Sequence, residues 1–132
     1  MSTQLSPLDT PEVGIRALKA APVIVATDGR DQSDPALMAG RIFAGDDRAA
    51  LRVVTVLRPV PVVSPEGQIA MSPDVEAARR AGQKRLVIDQ LERLWADAAT
   101  FDPEVHEGDA AATIARLAHE ANAPLIVAGL GR

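Results

Sequence analysis

The chain has 132 residues, 47% hydrophobic and 24% charged, which fits one globular domain around a single core and not two. Fourteen Lys and Arg against eighteen Asp and Glu give a net charge of −4; with Phe43, Trp95 and Phe101 as its aromatic residues, the chain suits neither a basic nucleic-acid surface nor a base-stacking platform. Without cysteine, without an apolar run near the roughly 20 residues of a membrane span, and without a signal-peptide layout in Met-Ser-Thr-Gln-Leu-Ser-Pro, the expectation is a soluble cytoplasmic protein lacking disulfides, cysteine zinc sites, and membrane or nucleic-acid partners.

Residues 1–20 hold Pro7, Pro11 and Gly14 and few large apolar side chains, so they are read as a flexible, dispensable extension, with the domain spanning 21–132. Pro22-Val23-Ile24-Val25-Ala26 is a continuous apolar run with β-branched residues, the pattern of a strand buried on both faces, and Thr27-Asp28-Gly29 ends it. Ser33-Asp34-Pro35 is a helix start, followed by Ala36, Leu37, Gly40, Phe43 and Ala44 at inward spacing, and Gly45-Asp46-Asp47 stops that helix. The second strand is Leu51–Leu57; Pro59, Pro61, Pro65 and Gly67 make 58–73 an irregular loop. The spacing then predicts a long helix from 74 to about 98, with Val75, Ala78, Ile88, Leu91 and Trp95 inward and Arg79-Arg80 and Lys84-Arg85 largely on its solvated side. A weak third strand is expected over 101–106. Asp109 is positioned to cap a helix that turns Ile114, Leu117, Ala118 and Ala121 inward. Pro124 and the last strand, Leu125–Ala128, lead into Gly129-Leu130-Gly131-Arg132.

Strands alternating with helices predict an α/β fold: an open, parallel, doubly wound, Rossmann-like sheet with helices on both faces. Ligands in such sheets bind beyond the carboxyl ends of the strands, at the switch in strand order. That points to Thr27-Asp28-Gly29 and to Gly129-Leu130-Gly131. The Asp28 carboxylate could accept from a base or hydroxyl of a ligand, or only from its own turn, and chemistry alone leaves both open. Backbone N–H groups around Gly129 and Gly131 could hold an anion or merely form a tight turn. Neither GxGxxG nor GxxxxGK[ST] occurs, and no serine lies in G-x-S-x-G. His106 and His119 each lack a second histidine at ligand spacing, so no metal site is expected. Asp28 stands alone where a phosphorylated receiver domain needs clustered acids.

Several segments together resemble the universal stress protein family. Val23-Ile24-Val25-Ala26-Thr27-Asp28-Gly29 with Ser33-Asp34-Pro35-Ala36-Leu37 is similar to its opening strand, D-G turn and helix start. The stretch from Leu51 to Pro61, the segment Val105-His106-Glu107-Gly108 with Ile114 and Ala118, and Leu125-Ile126-Val127-Ala128-Gly129 resemble later parts in the same order. The resemblance implies a sheet ordered 3-2-1-4-5. Its fifth strand has no counterpart in this sequence, so 3-2-1-4 is expected. In one branch of the family it implies ATP binding, with Mg through the phosphates. The adenosine would lie against Ala26, Thr27, Asp28 and Val56, and the phosphates at Gly129 and Gly131, where the glycine spacing is one residue shorter than the family motif G-x-x-G-x9-G-[ST]. The expectation is therefore a non-enzymatic nucleotide-binding or signalling module of the stress response. It would associate as a homodimer through the uncovered last strand. The alternatives are an interaction module acting through dimerisation without nucleotide and, last, a nucleotide hydrolase.

Overall fold

Four consecutive residues with apolar side chains on both faces make Val23–Ala26 the central strand, β1: Ile24 and Val25 point to opposite sides and both are fully buried. The computed structural model describes residues 22–59 and 72–129. The N-terminal extension, most of the proline-containing loop and Gly131 lie outside the described residues. Around β1 the strands β2 (Leu51–Leu57), β3 (Glu104–Glu107) and β4 (Leu125–Ala128) form a four-stranded parallel sheet in the order β3-β2-β1-β4. Val25 lies beside Val53 on one side and Val127 on the other, while Ile24 lies beside Arg52 and Ile126. Parallel pairing needs crossovers, and these are the helices α1 (Asp34–Ala44), α2 (Pro73–Leu94) and α3 (Ala110–Ala121).

The two faces of β1 sort the helices. Val23, Val25, Leu51 and Val53 pack against Ala36 and Leu37 of α1 and Val87 and Leu91 of α2. Ile24 and Val54 pack against Leu117 and Ala118 of α3 on the opposite face. The doubly wound sheet is thus the one expected. Asp109 caps α3 by accepting from the Ala112 N–H at 2.9 Å, and Ser72 caps α2 by accepting from the Val75 N–H at 3.2 Å.

Four details differ from the sequence expectations. Phe43 is 64% exposed. The sheet-facing stripe of α1 is filled by Ala36, Leu37, Gly40 and Ala44, and Phe43 falls to one side of it. Val75 and Ala78 are also exposed. The true stripe of α2 runs through Gln83, Val87, Gln90 and Leu91, and its continuation toward the N-terminus passes through Arg79 and Glu76. Finally, α2 ends at Leu94, before the expected 98, where Trp95 turns extended and packs its ring against Phe101, centroids 5.3 Å apart and planes tilted by 52°. The third strand is correspondingly later than expected, with Phe101 given to the core and Glu104–Glu107 to the sheet.

Bidentate ion pairs tie the helices and edges together. Arg41 donates from Nη1 and Nη2 to the two carboxylate oxygens of Asp97 while lying 4.8 Å above the Trp95 ring, Arg52 holds Glu104 at 2.6 and 2.7 Å, and Arg93 holds Asp34 at 2.9 Å. Each arginine pulls its partner carboxyl below the ordinary value, which is 3.8 for Asp34 and Asp97 and 4.5 for Glu104. A lowered native value means that the unfolded chain binds more protons in acid. The stabilisation is therefore complete above the ordinary values and is lost as pH falls through the native ones. The melting temperature should be flat near neutrality and fall below about pH 4.5, and Glu104→Gln, which cannot titrate, should flatten part of that fall. Thermal melts across this range check it; a wild-type curve flat down to about pH 3 would mean that the pairs contribute nothing.

The outer strands of the described sheet are unlike. On β3, Glu104, His106 and Glu107 carry charge or polarity, and Arg80 donates to the Val105 carbonyl at 2.6 Å. By contrast β4 reads Leu-Ile-Val-Ala, and Ile126 is 42% exposed. Ile126 shares the α3 side of the sheet with Ile24, and α3 packs on β1, β2 and β3.

Candidate functional site

Beyond the carboxyl end of β1 the chain must turn from strand to helix within a few residues. Thr27 stays in register, its N–H donating to the Val54 carbonyl at 2.9 Å. Gly29 then takes φ +85°, a left-handed conformation that side chains disfavour. Asp28 organises the turn from Gly29 to Ser33. Its Oδ1 accepts from the Arg30 N–H at 2.9 Å and from the Ser33 hydroxyl at 2.8 Å, and its own N–H donates to Ser33 Oγ at 3.3 Å. The turn-organising role left open by the sequence is therefore real. It engages one carboxylate oxygen; Oδ2 carries none of these bonds.

A cleft of about 240 Å³ opens at this point, where the strand order reverses between β2 and β4 on either side of β1. Its floor is Ala26, Thr27 and Asp28; Val56 closes it from β2, and Ala128 and Gly129 close it from β4. Ala110 and Ile114 of α3 form its roof, and Ser33 lines the side nearest α1. Five of the six residues named from the sequence, Ala26, Thr27, Asp28, Val56 and Gly129, thus line one cavity. The sixth, Gly131, lies outside the described residues. Asp28 is the one carboxylate among the described lining residues, and the rest of the wall is small or apolar apart from two hydroxyls. Such a surface suits a flat, partly apolar ring with a few polar edges.

Gly129 lies close to the segment that leads into α1. A Cβ there would lie 3.3 Å from the Gln32 carbonyl oxygen and 3.5 Å from Ser33 Cα, so the end of β4 passes tightly against the start of α1. Three backbone segments, 26–28, 32–33 and 128–129, therefore converge at one end of the cleft.

Behind the cleft, on the other face of the sheet, are two residues that sequence reasoning missed. Gln90 is 2% exposed, accepts from the Thr27 hydroxyl at 2.6 Å and donates to the Arg30 carbonyl and Asp34 Oδ1, both at 2.8 Å. Gln83 donates to the Asp28 carbonyl at 3.0 Å and to Thr55 Oγ1 at 2.8 Å. The available signal was an amide standing between Val87 and Leu91 on an otherwise apolar stripe.

The profile of the universal stress protein family matches residues 20–132, nearly the whole chain. The chain belongs to the universal stress protein family. Among solved structures it is similar to a protein of the same family from Burkholderia pseudomallei, with 28% identity, a TM-score of 0.60, and 84% of this chain and 82% of that one covered. No curated protein matches the chain. The parallel order β3-β2-β1-β4 accords with the universal stress protein fold.

Proposed function

We propose that this universal stress protein is a cytoplasmic, non-catalytic module that binds an adenine nucleotide, ATP, and signals its presence in the stress response. The observation that carries the reading is the cleft at the strand-order switch, lined together by Ala26, Thr27, Asp28, Val56 and Gly129. Its volume of about 240 Å³ is below the roughly 300–1,000 Å³ typical of sites for whole drug-sized ligands. The cleft thus has the scale of a base and ribose rather than a whole triphosphate. The phosphates, with their Mg, would run out past Gly129, where backbone N–H groups and not side-chain cations would meet them. In this reading Asp28 Oδ2 accepts from the nucleoside. The cleft walls offer Asp28 as their one described ionisable group, already bonded within its own turn, which favours holding a ligand over turning it over. No helix among the described residues is long and apolar enough to cross a membrane.

Purified protein, denatured and cleared, should release ATP or AMP detectable by mass spectrometry of the supernatant. Protein free of nucleotide, and unable to take up added ATP, would defeat the reading.

The asymmetry of the sheet edges favours a second reading, in which β4 serves association with another copy. Uncharged strand edges expose N–H and C=O groups for pairing, whereas β3 is blocked by charge and by Arg80. Light scattering at micromolar concentration should report a dimer that Ile126→Lys converts to a monomer. A wild-type monomer would remove this reading and leave nucleotide binding untouched.

A further inference from the structure

The loop that carries Asp28 is held from behind by α2. The cleft lies on the α3 side, roofed by Ala110 and Ile114, whereas α2 packs on the opposite face against Val25 and Val53. From that face Gln90 bonds Thr27, Arg30 and Asp34, and Gln83 bonds the Asp28 carbonyl. The two carboxamides are seven residues apart, about two helical turns, and so project from one side of α2. Leu86, between them, fills the space beside Gly29, where a Cβ would come within 2.8 Å of its side chain.

Stability alone gives no reason for an amide at 90. An apolar side chain would complete the Val87–Leu91 stripe without removing an amide from water. A buried amide whose groups are all bonded does something different: it fixes one arrangement of its partners, because any other leaves polar atoms unpaired in a low-dielectric interior. All the partners of Gln90 lie between Thr27 and Asp34, the segment that joins β1 to α1. We propose that Gln83 and Gln90 are positioning residues for the nucleotide cleft, holding the turn at Thr27, Asp28 and Gly29 in the one conformation that presents Asp28 Oδ2 to a ligand. The claim about the ligand rests on the proposed nucleotide binding; the claim about the turn does not.

The test uses the full chain and two readouts. Backbone ¹⁵N relaxation of wild type, Gln83→Met and Gln90→Met measures the order of the turn without ligand, and calorimetry measures ATP affinity. Order parameters at Asp28, Gly29 and Arg30 should fall from about 0.85 to below about 0.6 in each variant, while β1 and the body of α2 stay rigid. ATP affinity should weaken at least about fivefold, the scale of one lost hydrogen bond. Gln83→Lys keeps an N–H donor one bond further out and should restore the order of the turn, the readout that its added charge does not bias. Should Gln90→Met fail to fold, the half-exposed position 83 carries the test. A turn that stays rigid in Gln83→Met, or loosens equally in Gln83→Lys, overturns the proposal. A turn that loosens in protein that binds no ATP even as wild type defeats the nucleotide reading and sustains the positioning role.

Discussion

Gly40→Ala should destabilise the domain by about 2–3 kcal/mol, lowering its melting temperature by on the order of 10 °C. Alanine ordinarily stabilises a helix interior by roughly 1 kcal/mol over glycine, so helix propensity predicts the opposite sign. Packing decides the outcome. A Cβ built on Gly40 would lie 2.1 Å from Cγ2 of Val25, and Val25 is fully buried in the central strand. Neither partner can yield cheaply: the Val25 rotamer is held by the core, and α1 is pinned at its start by Asp34 to Gln90 and Arg93, and near its end by Arg41 to Asp97. The glycine therefore sets how closely α1 approaches β1. It thereby also sets how closely the start of α1 meets Gly129. In the double variant Gly40→Ala, Val25→Ala the new methyl occupies space that the valine vacates, so its loss of stability should be smaller than the sum of the two single losses by about 1–2 kcal/mol. Additive losses in denaturant melts would mean that the close contact is not the cause.

Asp28→Ala should sharply reduce the thermal stabilisation that ATP confers while leaving a folded domain. Loss of a hydrogen bond to the nucleoside costs about 1–3 kcal/mol, roughly 5- to 150-fold in affinity. The same substitution removes the acceptor of the Arg30 N–H and the Ser33 hydroxyl, so the ligand-free protein should itself melt somewhat earlier. Asp28→Asn separates the two contributions. It retains an oxygen that can serve the turn but loses the charge, and should therefore melt like wild type without ATP and respond to ATP only weakly. An ATP-induced shift of full size in Asp28→Ala would take Asp28 out of the site.

How plainly each segment can be read from the sequence depends on its chemistry. The strand Val23–Ala26 is legible because burial on both faces demands an unbroken, β-branched and apolar run; Leu51–Leu57 still reads as a strand around Arg52 and Thr55, and Leu125–Ala128 keeps the apolar pattern although Ile126 and Ala128 are exposed on an outer strand of the described sheet. The strand Glu104–Glu107 is faint because it lies at an edge, with Val105 as its one apolar residue, and its start is masked by Phe101, which belongs to the core but not to the sheet. The long helix is legible in extent but not in orientation. Its buried face carries Gln83, Gln90 and arginine stems, so an apolar count selects Val75 and Ala78, which lie off the true stripe. The floor of the cleft is legible from topology, since Thr27-Asp28-Gly29 comes directly after the first strand of an alternating pattern. Its support is not. Gln83 and Gln90 reach the loop from 55 and 63 residues away in sequence, and only the packing of α2 on the sheet brings them there.

Titration of ¹⁵N-labelled protein with Mg-ATP tests the proposed nucleotide site beyond β1 most directly. Saturable amide shifts should concentrate at Ala26, Thr27, Asp28, Val56 and Gly129, with weaker effects at Ala110 and Ile114 on the cleft roof. No shifts at millimolar ATP, or shifts gathered instead around the exposed Ile42 and Phe43 of α1, would contradict it.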